Sequence, residues 1–278
     1  MNSLARVATR YPLTCYFALA LGLSGGWLLL AVGGLALPMT VALPVGPFIG
    51  PSAAAVGLTA IIDGRAGLRG LLDRLRHCRV GPGWYALVLL GWPVLFAVAA
   101  LASGGPAAFR PPAPGALLGT LGIFLFVLVL GGPLGEEPGW RGFALPRLQR
   151  RLGPLPGTLL LGALHALWHL PVYLLVPGYN GAPPDLGGTL LAFGQFAVGV
   201  TAGAVLITWV FNRTGGSLVP VILLHASGNT AGAVVQQLFP GAPLALEAVR
   251  LPAQLVLAAV LVLATRGRLG HRVLTPAR

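Results

Sequence analysis

The 278-residue sequence contains no lysine, only two cysteines and only six acidic residues, and each shortage removes a class of protein. Charged residues make up 9% of the chain, whereas soluble domains carry about 25%. An ordinary water-facing surface cannot be built from that composition. Cys15 lies in an apolar run and Cys78 in a basic segment, so neither a disulfide framework nor a cysteine metal site is available. The complete use of arginine among the eighteen basic residues, with abundant Gly and Pro, reads as GC-rich coding and points to a bacterium. No soluble domain, low-complexity tract or internal repeat stands out.

What is present is apolar. Hydrophobic residues are 56% of the chain and the mean hydropathy is +0.84. A transmembrane helix takes about 20 residues, and apolar runs fall near 13–34, 41–62, 84–103, 116–137, 157–177, 188–211, 217–239 and 251–265. The expected fold class is therefore an all-α integral membrane protein of about eight transmembrane helices, with residues 1–278 forming one polytopic domain. The first run is too long for a signal-peptide core of about 7–15 residues, so it reads as a span.

A net charge of +12 would suggest nucleic acid in a soluble chain. Its distribution excludes that partner. With eight spans and both termini cytoplasmic, sixteen arginines lie inside and only Arg110 and Arg250 outside, which is the positive-inside pattern of a cell-membrane protein. The expected partners are membrane lipids, whose anionic cytoplasmic leaflet suits the basic segments.

Against this background the run Glu136-Glu137-Pro138-Gly139-Trp140-Arg141 is conspicuous. One ionisable residue within a span costs roughly 2.5–3.5 kcal/mol on insertion, and two adjacent carboxylates also repel each other. The spacing predicts that Glu137 pairs with Arg141 one turn later. Three histidines also fall within spans: His165 and His169, four apart in the fifth run, and His225, four before Asn229 in the seventh. His77 and His271 lie in basic segments and read as surface residues.

Depth brings these groups to one level. Glu136 is eleven residues from Arg147, and His169 and His225 are each twelve from Gly157 and Arg213. At 1.5 Å per residue all three lie about 17 Å into the membrane. This holds if the fourth span continues as helix through Phe143, even with a break at Pro138; an interfacial helix from Trp140 to Leu152 would instead put Glu136 higher. The set can hydrolyse an acyl bond: a buried carboxylate as general base, histidines to share the water or bind a metal, and an amide to meet an oxyanion. Two other readings are a polar cluster that knits helices together and an ion or proton path; a simpler one has the glutamates capping a helix at the membrane edge.

Glu136-Glu137-x-x-x-Arg141, Trp168-His169-Leu170-Pro171 and His225-x-x-x-Asn229 together resemble the three ordered motifs of the CAAX prenyl protease and bacteriocin-processing family of intramembrane proteases. The resemblance covers residues 117–238, the expected protease-like core. It implies an eight-helix fold open to the cytoplasm and an endopeptidase whose substrate is a membrane-associated protein or peptide. On this resemblance Glu136 activates water with help from His169, His225 and Asn229 stabilise the oxyanion, and Glu137 with Arg141 holds the site's shape. Family members are also described as metalloproteases, which makes Glu136, His169 and His225 a candidate zinc set. Zinc and metal-free routes both stay open here. So does a non-catalytic binding or immunity role on the same fold.

One position departs from the family pattern. His165 stands where an aromatic residue is usual, four before the motif histidine. It is expected as a neutral polar residue packed one turn from the site, or as an added ligand or base.

Overall fold

The computed structural model describes residues 3–240 and 246–271, which form an all-α bundle with no strand among the described residues. A short amphipathic helix α1 (Ser3–Arg10) leads into α2 (Pro12–Leu29). Next come α3 (Met39–Pro47), α4 (Ala53–Ile62) and the arginine-rich α5 (Gly64–Arg76). After α6 (Pro82–Gly104) come α7 (Pro114–Leu130), α8 (Pro133–Glu137) and α9 (Leu145–Leu152). The last four are α10 (Pro154–Leu175), α11 (Leu186–Arg213), α12 (Val219–Leu238) and α13 (Leu246–Thr265).

Each of the eight apolar runs falls on helix. Among the described residues, six stretches are long and apolar enough to cross a membrane: Pro12–Gly34, Met39–Ile62, Pro82–Gly104, Leu118–Leu152, Pro154–Leu175 and Leu186–Arg213. The other two differ for legible reasons. Helix α12 carries His225, Ser227, Asn229 and Thr230 within its apolar sequence, and these lower its hydropathy. The last run supplies the shorter apolar stretch Val249–Thr265.

Proline sets many of the helix starts. Pro12, Pro82, Pro114, Pro133 and Pro154 each open a helix, where the missing N–H leaves no intrahelical bond unmade. Within the second span Pro44, Pro47 and Pro51 are absorbed by the π-helical turn Phe48–Ser52, so α3 and α4 stay joined as one apolar stretch.

The fourth span does not break where the sequence suggested. Pro138 is the first residue of another π-helical turn, Pro138–Ala144, and the helix runs through it into α9. The break comes earlier, at Gly131-Gly132, between α7 and α8. Gly132 has φ of 115°, a value that strains any residue with a Cβ. A wider turn accommodates proline because one backbone N–H is already unpaired in it, whereas two glycines cost little to unwind.

Close backbone approach fixes how this stretch sits. A Cβ on Gly139 would lie 2.4 Å from the Tyr16 hydroxyl and 2.5 Å from the Pro51 carbonyl oxygen. One on Gly162 of α10 would lie 2.7 Å from the Thr201 Cα of α11. Small residues at such crossings let apolar helices pack where no hydrophobic driving force separates protein from lipid. Trp140, Phe143 and Tyr16 fill the space between α2 and the π-turn, with Tyr16 stacked on Phe143 at 5.1 Å. Large apolar side chains such as Leu90, Leu118, Leu191 and Leu263 stand exposed on the outside of the bundle, as a lipid-facing surface requires.

Candidate active site

Three helical stretches supply the site. Glu136 and Glu137 close α8, His165 and His169 lie on α10, and His225 and Asn229 lie on α12. Glu136 and His165 are each 4% exposed, Glu137 is fully buried and Arg141 is 1% exposed.

Local backbone chemistry aims the first glutamate. The Glu136 N–H donates to the Gly132 carbonyl at 2.8 Å, so the helix restarts directly from the glycine break. A Cβ on Gly132 would sit 2.3 Å from Glu136 Oε1. The position therefore needs glycine twice, for its φ and for the room its missing side chain leaves beside the carboxylate. Ser52 Oγ donates to the Gly135 carbonyl at 2.7 Å and ties this turn to the second span.

The two glutamates have separate partners. Glu137 Oε1 accepts from Arg141 Nη1 at 2.9 Å and from His225 Nδ1 at 2.8 Å. The i,i+4 pairing predicted from sequence is present, and His225 joins it. Glu136 Oε2 accepts from His165 Nε2 at 2.7 Å. No arginine pairs with Glu136 among the described residues.

His165 therefore does not sit a turn away from the site, as one reading of the sequence had it. It touches the acid directly. Its ring packs 4.8 Å from Trp140 and 5.3 Å from His169. His169 Nδ1 donates to the His165 carbonyl at 3.1 Å, the bond its own helix offers one turn back, and this leaves Nε2 with a free lone pair. Trp168 and Phe196 flank the His169 ring at 4.7 and 4.8 Å. The aromatic wall continues through Tyr173 to Tyr179, in the turn after α10. Burial first, and then the charge of Glu136, pushes the Tyr179 hydroxyl above its ordinary value.

Asn229 is placed differently from the other candidates. It is exposed on α12, and its Oδ1 accepts from Arg250 Nη2 of α13 at 3.5 Å. Acid and imidazoles converge closely; the amide lies one helical turn beyond His225.

The ligand atoms of Glu136, His165 and His169 lie within 4.8 Å of one another, and among the described residues this is the group that could hold a metal ion. His225, included in the zinc set expected from sequence, is turned to Glu137 instead. A catalytic zinc takes three protein ligands and an open position, so the number of donors suits. The tautomers suit less well. A metal-bound histidine donates its other ring N–H to a fixed acceptor. His169 has that arrangement, whereas His165 spends Nε2 on Glu136 and its buried Nδ1 has no partner.

An all-helical membrane protein with a carboxylate–imidazole cluster buried between three helices is the class that fold and site define. A family model described as type II CAAX prenyl endopeptidase Rce1-like matches residues 118–231, a stretch that contains Glu136, His165, His169, His225 and Asn229. Among curated proteins, CAAX prenyl protease 2 of Methanococcus maripaludis is 28% identical over 102 residues, 36% of this chain and 36% of the relative. The aligned part thus spans about a third of that protein's length. With its three motifs in order inside the matched stretch, residues 118–231 of the chain are similar to the type II CAAX prenyl endopeptidase family.

Proposed function

We propose that the chain is an intramembrane endopeptidase that hydrolyses a peptide bond in a membrane-associated protein or peptide. One observation carries the reading: Glu136 is a buried carboxylate with a histidine donor on one oxygen and no arginine partner among the described residues. A carboxylate so placed, within hydrogen-bond reach of a water, is positioned to act as a general base.

Glu136 removes a proton from water, and the hydroxide attacks the carbonyl carbon of the scissile bond. His165 orients the carboxylate by donating to Oε2. His169, with Nε2 free, shares the attacking water. His225 is oriented by Glu137 through Nδ1 and meets the developing oxyanion from Nε2 when doubly protonated. Asn229, expected from sequence to share the oxyanion, lies exposed one helical turn beyond His225 and beside Arg250, so it is given no part in this step. The tetrahedral intermediate then collapses, the C–N bond breaks, and Glu136 returns its proton to the leaving nitrogen. Glu137 and Arg141 take no part in proton transfer and hold α8 against α12. Because the His165 tautomer does not suit a metal ligand, we assign no step to a metal.

The reading is tested by comparing newly formed protein termini in cells that express the wild type or Glu136→Gln at equal levels in the membrane. Termini present only with the wild type support the protease and identify its substrates. Identical sets from two folded proteins would instead favour a binding or immunity role.

A further inference from the structure

A second site candidate lies on the arginine-rich side of the bundle, where three span ends meet. Pro12 and Leu13 begin the first span, Ile62 ends the second, and α9 ends the fourth. Between them is a cleft of about 410 Å³ lined by these three residues with Asp63, Arg147, Arg150 and Arg151. That volume is within the range of small-ligand sites. The lining is graded: apolar where the spans enter the membrane, cationic where they leave it.

The cleft holds three arginines against one acid. Asp63 pairs with Arg147, and Arg147 is fixed further by the Phe143 carbonyl at 3.1 Å and by the Phe143 ring, 3.8 Å from its guanidinium carbon. That leaves Arg150 and Arg151, both exposed and without a hydrogen-bond or ion-pair partner among the described residues. The excess positive charge is felt nearby. Burial, followed by the charges of Arg150 and Arg147, holds Arg74 of α5 below its ordinary value. Two unpaired guanidiniums beside an anchored third can hydrogen-bond several oxygens of one phosphate.

We propose that this cleft binds the phosphate of an anionic phospholipid headgroup, with the glycerol and upper acyl chain lying against Pro12, Leu13 and Ile62. Basic pockets between transmembrane helices on the cytoplasmic side recognise lipids in this way. The bound lipid would bridge α2, α4 and α9, and α9 is continuous with the turn that carries Arg141. The site stands apart from the glutamate–histidine cluster and does not depend on the proteolytic reading.

The test uses the full chain in detergent, with native mass spectrometry to count retained lipid. Phosphatidylglycerol, phosphatidylcholine with the same acyl chains, and inorganic phosphate are titrated separately. The variants are the pair Arg150→Gln/Arg151→Gln and, as a control on the same side, the exposed pair Arg266→Gln/Arg268→Gln. Thermal melting without lipid confirms that both fold. The expected result is preferential retention of phosphatidylglycerol, about 30-fold weaker in the first pair from the loss of two cations near the headgroup. The control pair should stay within about twofold. Equal weakening in both pairs would reduce the effect to general surface charge and overturn the site. Inorganic phosphate that binds as well as the lipid would show that the apolar half contributes nothing, and would overturn the lipid assignment.

Discussion

Glu136 and Glu137 are adjacent on one helix, are buried to nearly the same degree, and have been given opposite surroundings. Glu137 accepts from Arg141 and His225 on a single oxygen, so its charge is neutralised in place. Glu136 accepts from His165 and lies beside a second imidazole, with its Oε1 against Gly132 where a Cβ would lie only 2.3 Å away. Helix geometry explains the division. Residues one apart point about 100° away from each other, so Glu137 faces α12 and the arginine one turn on, while Glu136 faces α10. On the proposed reading, a doubled acid within a membrane separates two tasks that one carboxylate could not perform together: a paired charge that holds helices, and a base without an arginine partner.

The largest effect that can break this division is expected at the paired side. Arg141→Met leaves Glu137 buried with only His225, and removing one partner of a buried ion pair costs about 3–5 kcal/mol. Thermal unfolding in detergent should fall sharply, with activity lost as a consequence of instability. A variant that melts like the wild type would mean that His225 alone neutralises Glu137. His165→Phe sharpens the other side. The substitution restores the aromatic residue usual in the family the motifs resemble but removes the donor to Glu136, and cleavage should fall roughly a hundredfold, the cost of about 1 Å of misplacement. Melting should stay close to wild type. Full activity would show that the Glu136–His165 bond is dispensable. The smallest effect is expected from chelation. If Glu136 acts as a base without a metal, prolonged treatment of purified enzyme with a zinc chelator changes the rate by less than about twofold. Loss of activity, restored by added zinc, would move Glu136 from base to ligand.

Much of this architecture is legible in sequence because membrane physics leaves few choices. The eight apolar runs map onto helix because unpaired backbone groups are too costly in lipid. The Glu137–Arg141 pair follows from spacing alone. Three things were not legible, each for a physical reason. The break at Gly131-Gly132 competes with Pro138 as a helix breaker, and only the π-turn over Pro138–Ala144 decides it. A clue was nonetheless present, since Gly-Gly-Pro is a turn signal just before the acids. Which histidine reaches Glu136 depends on the rotation of α10 about its axis. His165 and His169 share a helix face, and the choice is made by the close fit of Gly162 on Thr201, a contact no periodicity reveals. Finally, the contact of Asn229 is with Arg250 of α13, a helix far along the chain, which spacing within α12 does not reveal.

The most direct test of the division is a side-by-side measurement of melting temperature and substrate cleavage for Glu136→Gln and Glu137→Gln in the same membrane preparation. The account predicts that Glu136→Gln melts at or above the wild-type temperature yet cleaves about a thousandfold more slowly, the loss expected of a general base. Glu137→Gln should melt well below wild type, because Arg141 is left as a buried charge without its carboxylate. Glu136→Gln that still cleaves, or Glu137→Gln that folds as stably as wild type while losing all cleavage, would contradict it.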